Sequence, residues 1–458
     1  MAKPEIHLLV LIHGMWGSPS HLDSAARVIE EVKGSKAQLV DAGAPDLHVL
    51  IAVTNARDHT YDGIDNGGER VAQEVYEEID KLTSEGRIVT RFSVFGYSMG
   101  GLIARYLLGV LSARNFFDTI APVNFTTFAT PHIGVPRYPG FLSSIVFRVG
   151  PRMLSVSGEQ FFHTDSWGTT GRPLLAVMAD PTQIFFKTLA SFANIAIYAN
   201  AINDASSPYA TSAIELEDPF LEYQYNGIRI KFDPDYPHLI HSWVLPDQPP
   251  PPPKTLSAQW FKAICSRPLL PPKLQFRFPI NLIMIAFIPL LMPVFASFVL
   301  YRFSKSSKLS RARIRAMEGS ESYQQRLIHM FSDLENRVES AFVEVVHDVA
   351  EFGVDAPASQ GAQTDTIGER KELNANGNAD STATPLLASE AREKSHLSEA
   401  QKEMVRSLNT IPNMKKYRSF FAESRNSHGI IISRDPLQFE VHKRGEEILR
   451  HWAERFDL

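Results

Sequence analysis

A chain of 458 residues is too long for one ordinary compact core, which implies a large domain with insertions or two domains. A formal net charge of −5 and an apolar fraction of 44% are those of a soluble protein, so nothing global suggests a nucleic-acid binder or an acidic tail. Cys265 is the only cysteine, which excludes an internal disulfide framework, fits a reducing compartment or a cytosol-facing membrane surface, and makes a thiol nucleophile unexpected.

The amino terminus, "MAKPEIHLLVLIHGMWG", has a short apolar run without a basic start or a small-residue cleavage site, and does not read as a signal peptide. Residues 7–12 read instead as a strand covered on both faces, because their apolarity is continuous. A helical pattern over 22–34 ends on Gly34, a strand follows at 47–54, and an amphipathic helix over 66–86 closes on Gly86. Next come a strand at 91–98, a helix at 99–111 and a strand at 123–130. This alternation predicts the α/β class, with a mostly parallel, doubly wound sheet. From 131 to 183 the pattern turns irregular and rich in Pro, Gly and aromatics, where a lid insertion is expected, about 131–190. The strand at 195–200 then resumes the sheet, so that residues 1–245 form the core of the domain.

A run of prolines from Pro246 opens a linker, 246–277, that favours extended polyproline II. Residues 278–301, "FPINLIMIAFIPLLMPVFASFVLY", are uncharged and, at about 24 residues, long enough to enter or cross a bilayer. Arg302, Lys305, Lys308, Arg311, Arg313 and Arg315 follow before the first acid, Glu318, a distribution that suits an anionic lipid surface on the cytosolic side. Pro289 and Pro293 near the middle of the segment predict a kink, or a hairpin that re-emerges on the same side. A buried core helix is the alternative, although such helices are usually shorter and lack a basic stop. The flank and an amphipathic helix at 324–349 occupy 302–353. Residues 354–400 carry almost no large apolar side chain and read as a disordered insertion. Residues 401–458 regain a strand and a terminal helix over 443–456, returning to the core.

The chemistry concentrates at "RFSVFGYSMGGLIARYLLG", residues 91–109, where Ser98 lies between Gly96 and Gly100. A G-x-S-x-G string alone is weak evidence, but here it joins a buried strand to a helix, the setting of a nucleophile elbow. The two glycines are required because a side chain at either would strike the neighbouring strand or helix. The backbone N–H of Met99 at the helix start can donate to a developing oxyanion, and so can that of Met15, in the "HGMWG" loop after the first strand. His13 is expected to hold that loop. A plain helix-capping serine is the bland alternative for Ser98.

The runs "VLIHGMWGSPSHL", "FGYSMGGLIARY", "FTTFATPHIGVP" and "IYANAINDASSPYATSAI" resemble the putative serine esterase family of α/β-hydrolases, specifically its fungal lipid-droplet phospholipase branch. The likeness covers residues 1 to about 240 in blocks and returns at "NSHGIIISR" and "GEEILRHW". It implies an α/β-hydrolase fold whose lid, membrane-hairpin and disordered insertions precede the last strand and helix. It also implies a Ser, acid, His triad in that chain order. Asp204, just past the 195–200 strand, stands where the family has its aspartate. Asp180 is the weaker candidate, and an Asx-turn is the structural alternative for Asp204. For the base, His428 matches the family's tail motif ahead of the final helix. His442 is the runner-up, and His451 is expected to pack within the terminal helix. His238 and His241 lie close to the linker, His329 and His347 fall on the amphipathic helix, and His396 borders the disordered stretch. His132 precedes the acid and is expected to anchor a loop. No zinc spacing and no Gly-rich phosphate loop is visible, so neither metal nor cofactor is expected.

The expected activity is that of a serine lipase or phospholipase hydrolysing acyl esters of glycerophospholipids, on the cytosolic face of a lipid droplet or the endoplasmic reticulum. An acyl-protein thioesterase uses the same triad, and an inert lipid-surface scaffold is the non-enzymatic alternative. The expected partners are a lipid substrate and a membrane or lipid-droplet monolayer, with no nucleic acid and no obligatory protein partner.

Overall fold

The computed structural model describes residues 3–34, 45–138, 141–168, 170–221, 223–248, 250, 280–318 and 397–458; the side chains of 141, 142, 280–292 and 318 are outside that description. Most of the linker, the amphipathic helix at 324–349, nearly all of the disordered insertion, Cys265, His329, His347 and His396 lie outside the described residues.

Strands β1 (Glu5–Ile12), β2 (Asp46–Ile51), β3 (Ile88–Tyr97), β4 (Ala121–Phe128), β5 (Asn194–Asn200) and β8 (Met414–Ser419) form a sheet in the order β2-β1-β3-β4-β5-β8. Every neighbouring pair in it is parallel. Continuous apolarity in β1 follows from cover on both faces. Ile6, Leu8, Val10 and Ile12 point into one core with helices α2 (Ile64–Ser84) and α3 (Met99–Ala113). Leu9 and Leu11 point into the other, with α1 (Asp23–Lys33) and the terminal helix α11 (Glu446–Glu454). The alternation is the strand period of two, met on each side by helices. From β1 the chain crosses to β2 on one side and from β3 to β4 on the other, so the strand order reverses between β1 and β3. The loops at the carboxyl ends of β1 and β3 leave toward opposite sides there, the place where sheets of this kind bind ligands.

The irregular stretch from 131 contains helices rather than bare loop: α4 (Phe141–Met153), α5 (Ser155–Phe161), α6 (Leu174–Met178) and α7 (Ile184–Ala190). Most are only one or two turns long, too short to show a helical period in sequence. A short α8 (Tyr209–Ser212) and an antiparallel pair, β6 (Arg229–Phe232) with β7 (Ile240–Val244), follow β5.

The hairpin expected over 278–301 does not form. Instead the backbone runs as one helix, α9 (Ile280–Glu318), through both prolines. Each proline removes one backbone hydrogen bond, and the remaining ladder carries the helix past both positions without a reversal. Among the residues whose side chains are described, no helix is long and apolar enough to cross a membrane. The carboxyl half of α9 packs on α4, α5 and the 3-10 helix Arg57–Tyr61. Helix α10 (Glu399–Leu408), opened by a capping box at Ser398 and Gln401, leads into β8.

Candidate active site

Ser98 ends β3 at the turn into α3 with φ 55° and ψ −127°, a conformation that a side-chain-bearing residue holds only where its surroundings over-determine it. The packing shows why this turn needs its glycines. A Cβ on Gly96 would lie 2.4 Å from the Gly101 Cα, and one on Gly100 would lie 2.1 Å from the Ile12 carbonyl oxygen. Tyr97 and Met99 are buried, whereas Ser98 between them is half-buried, so the elbow presents its one hydroxyl outward.

Ser98 Oγ lies 3.0 Å from His428 Nε2, and His428 Nδ1 lies 2.9 Å from Asp204 Oδ2. A carboxylate only accepts, so Nδ1 carries the ring proton and Nε2 presents its lone pair to the serine hydroxyl. Asp204 leaves the carboxyl end of β5 with every oxygen engaged. Asn200 Nδ2 donates to Oδ2 at 2.8 Å, and the Ser206 and Ser207 amides donate to Oδ1 at 3.1 and 2.8 Å. The Asx-turn and the acid role thus coexist in one side chain. His428 sits on a loop pinned to the loop after β5: Ser427 Oγ donates to the Ile202 carbonyl at 2.7 Å and Ser427 N to that of Asn203 at 2.9 Å. Tyr97 Oη donates to the His428 carbonyl at 3.1 Å, and its ring lies 5.1 Å from the imidazole. Burial pushes the Tyr97 phenol far above its ordinary value, so it stays a neutral donor.

The "HGMWG" loop approaches the serine so closely that a Cβ on Gly14 would lie 2.6 Å from Ser98 Cβ. Neither the Met15 nor the Met99 amide donates a hydrogen bond among the described residues, and the Met99 amide opens α3, where the helix dipole favours negative charge. Both flank Ser98 with an unspent N–H. His13 points away from this chemistry: its Nδ1–H donates to the Gly14 carbonyl at 3.0 Å, and burial holds its pKa below the ordinary value.

The other candidates are engaged elsewhere. His132 Nε2 meets Thr127 Oγ1 at 2.9 Å in the core, with burial holding its pKa well below the ordinary value. His442 Nδ1 accepts from the Asp435 amide at 3.0 Å, and His451 Nδ1 meets Tyr198 Oη at 2.8 Å. His238 pairs with Glu447 at 2.8 Å, His241 is exposed, and Asp180 is bound by Arg172 at 2.6 Å. Sequence reasoning missed the supports: Asn200, Ser427 and Tyr97. Asn200 and Tyr97 end their strands beside Asp204 and Ser98, but nothing local tells which polar atoms such neighbours meet. Among the described residues no group of three or more His, Cys, Asp or Glu could hold a metal ion.

Residues 2–214, a little under half of the chain, match the model of the family described as putative serine esterase. A protein named putative lipase C4A8.10 from Schizosaccharomyces pombe is 28% identical over 217 residues, 46% of this chain and 26% of its own length. Putative lipase ROG1 from Saccharomyces cerevisiae is 27% identical over 222 residues, 47% of this chain and 29% of its own. The chain thus spans less than a third of these relatives. Among solved structures, phospholipase PlaB from Legionella pneumophila in complex with thio-NAD gives a TM-score of 0.27 at 14% identity, covering 43% of this chain and 38% of that one. The putative cell surface hydrolase from Lactobacillus plantarum gives 0.26 at 13%, covering 45% and 74%. With its parallel sheet and serine elbow, the chain has an α/β-hydrolase fold, and the relatives it resembles are named putative lipases.

Proposed function

We propose that this chain hydrolyses acyl esters of glycerophospholipids at a lipid surface, with Ser98 as nucleophile, His428 as base and Asp204 as its orienting acid. The observation that carries the reading is the continuous relay from Ser98 Oγ through the His428 ring to Asp204, at 3.0 and 2.9 Å. As Ser98 Oγ attacks the carbonyl carbon, its proton passes to His428 Nε2, and the carbonyl π pair moves to oxygen, where the Met15 and Met99 amides donate. The tetrahedral intermediate expels the alcohol, which takes the proton from His428, leaving an acyl-serine. Water, deprotonated by the same imidazole, releases the fatty acid and restores the serine.

The lipid surface is supported by what the outside of the molecule offers. Val294, Phe295, Phe298, Leu300 and Tyr301 are exposed on α9, and Ile145, Val146 and Val149 on the adjoining α4. Arg302, Lys305, Lys308 and Arg315 are exposed just beyond, each worth roughly 1 kcal/mol against an anionic surface. Ser98 precedes α9 and His428 follows it, yet they meet, so both flanks of the helix must lie on the same side of any such surface. A lipid droplet or the endoplasmic reticulum, reached from the cytosol, fits the single cysteine and this basic flank.

The test is fluorophosphonate labelling of the full chain, paired with fatty-acid release from glycerophospholipid vesicles and from an acyl-thioester. Wild type should label and release fatty acid from the phospholipid, and Ser98→Ala should lower turnover by roughly 10⁴ to 10⁶ while remaining folded. Retention of most activity in Ser98→Ala would end the reading, and preference for the thioester would move the substrate class.

A further inference from the structure

We infer that Phe303 and Arg313, on the docked half of α9, are positioning residues for the reaction: they hold Trp16 in a strained turn that aims the Met15 amide at the oxyanion. The inference rests on the hydrolase reading above, but its contacts are independent of the triad.

Residues 14–17 form a tight turn closed by the Gly17 amide donating to the Gly14 carbonyl at 3.0 Å. Trp16 occupies the third position with φ 55°. Turns with a positive φ at that position call for glycine or asparagine, because a Cβ there crowds the backbone. A tryptophan persists in such a place only if neighbours hold it. Those neighbours come from two elements. The Trp16 amide donates to Thr60 Oγ1 at 3.2 Å, its indole Nε1–H donates to Tyr61 Oη at 2.9 Å, and its ring stacks on Phe303 at 5.7 Å and 22°. Thr60 and Tyr61 belong to the 3-10 helix Arg57–Tyr61, whose first amide donates to the Gly17 carbonyl at 2.9 Å.

That short helix is in turn bracketed by α9. Arg313 donates to the Asp58 carbonyl at 2.9 Å and to Asp62 Oδ1 at 2.7 Å, and Ser306 Oγ donates to Asp58 Oδ1 at 3.1 Å. Asp62 also takes Arg70. Burial alone would raise its pKa, but Arg313, Ser310 and Arg70 outweigh burial and hold the carboxyl below its ordinary value, so the bracket is ionised at neutral pH. Ser307 Oγ to the Arg152 carbonyl, Ser155 Oγ to Ser310 Oγ, and Arg311 to Glu159 fasten the same stretch to α4 and α5. The segment that carries the exposed apolar residues therefore continues directly into the support of the oxyanion loop.

The experiment uses the full chain and a water-soluble monomeric ester, p-nitrophenyl butyrate, so that lipid anchoring does not enter the rate. Complete loss of an oxyanion donor costs about 10² to 10³ in kcat, and a loosened one a fraction of that. Phe303→Ala and Arg313→Ala should each lower kcat by about 3- to 30-fold, with KM and the pH optimum little changed. Phe303→Tyr, which keeps the stack, should restore kcat to within about twofold. In a Trp16→Gly background, where glycine adopts the positive φ unaided, Phe303→Ala should change kcat by less than about twofold. An unchanged kcat in Phe303→Ala, or the same loss in both backgrounds, overturns the inference. If Arg313→Ala does not fold, the half-buried Phe303 carries the test alone. An active Ser98→Ala protein would instead overturn the hydrolase reading beneath it.

Discussion

Replacing Asp204 with asparagine tests the relay at its least forgiving point. The carboxylate faces donors on every side: two backbone amides at Oδ1, and Asn200 Nδ2 with the His428 ring at Oδ2. An asparagine must turn its NH2 toward one of these sides. The backbone amides of Ser206 and Ser207 cannot reverse, whereas the Asn200 amide can flip and the imidazole can change tautomer. The new NH2 therefore settles toward His428, making Nδ1 an acceptor and moving the ring proton to Nε2, where it faces Ser98 instead of a lone pair. The base is then blocked with the geometry nearly intact. Wrong-tautomer blocks of this kind lower turnover by about 10⁴, or ~5.5 kcal/mol of barrier. The assay is kcat for p-nitrophenyl butyrate in wild type and Asp204→Asn, with the unfolding midpoint as a control. A variant within about tenfold of wild type refutes the tautomer argument and removes Asp204 from the mechanism.

His428→Ala should abolish turnover as the serine variant does, whereas His442→Ala should leave it within a few fold, because His442 is spent on the Asp435 amide; the reverse pattern, read in the same ester assay, would move the base to His442. The third expectation concerns acid stability. His7 is fully buried against Ser93 Oγ at 2.7 Å, and burial, aided by Arg91, lowers its pKa from 6.5 to about 3. The unfolded chain takes up that proton below 6.5 while the folded one does not, so stability is full above 6.5 and is lost as pH falls toward 3. Between pH 7 and 5 this amounts to about 2 kcal/mol, and His7→Gln should flatten the fall by that much in urea unfolding. Parallel curves for the two proteins would show that His7 carries no such linkage.

The elbow was legible because everything that makes it is local: an apolar run, two glycines and the start of a helix, all within residues 91–109. The loop after β1 that brings Gly14 against Ser98 was legible for the same reason. The parallel pairing follows from the alternation of strand and helix patterns, since parallel neighbours need crossovers. What stayed hidden depends on pairing between distant segments. Short helices such as Ser155–Phe161 and Leu174–Met178 are buried among many neighbours and show no stripe. The stretch after Tyr301 read as basic, but two of its arginines reach Glu159 and Asp62. Its serines at 306, 307 and 310, with Arg313, lie at the spacing of one helix face, a pattern that could have announced a docked surface. Nothing in the sequence named the partners. His428 was separable from its neighbours in the tail only by resemblance, since three histidines lie within 428–451 and composition cannot say which one meets a serine 330 residues earlier.

That separation has a consequence in time. A ribosome adding about 5–20 residues per second takes roughly 15 to 65 s to travel from the serine to the histidine. Throughout that interval the strained elbow is made but His428 is not, and the last strand of the sheet is unmade as well. The apolar start of α9 emerges well before either. Under the proposed mechanism, newborn chains are silent as hydrolases until the final segment docks, and a chain cut short anywhere before residue 428 keeps Ser98 without its partner histidine.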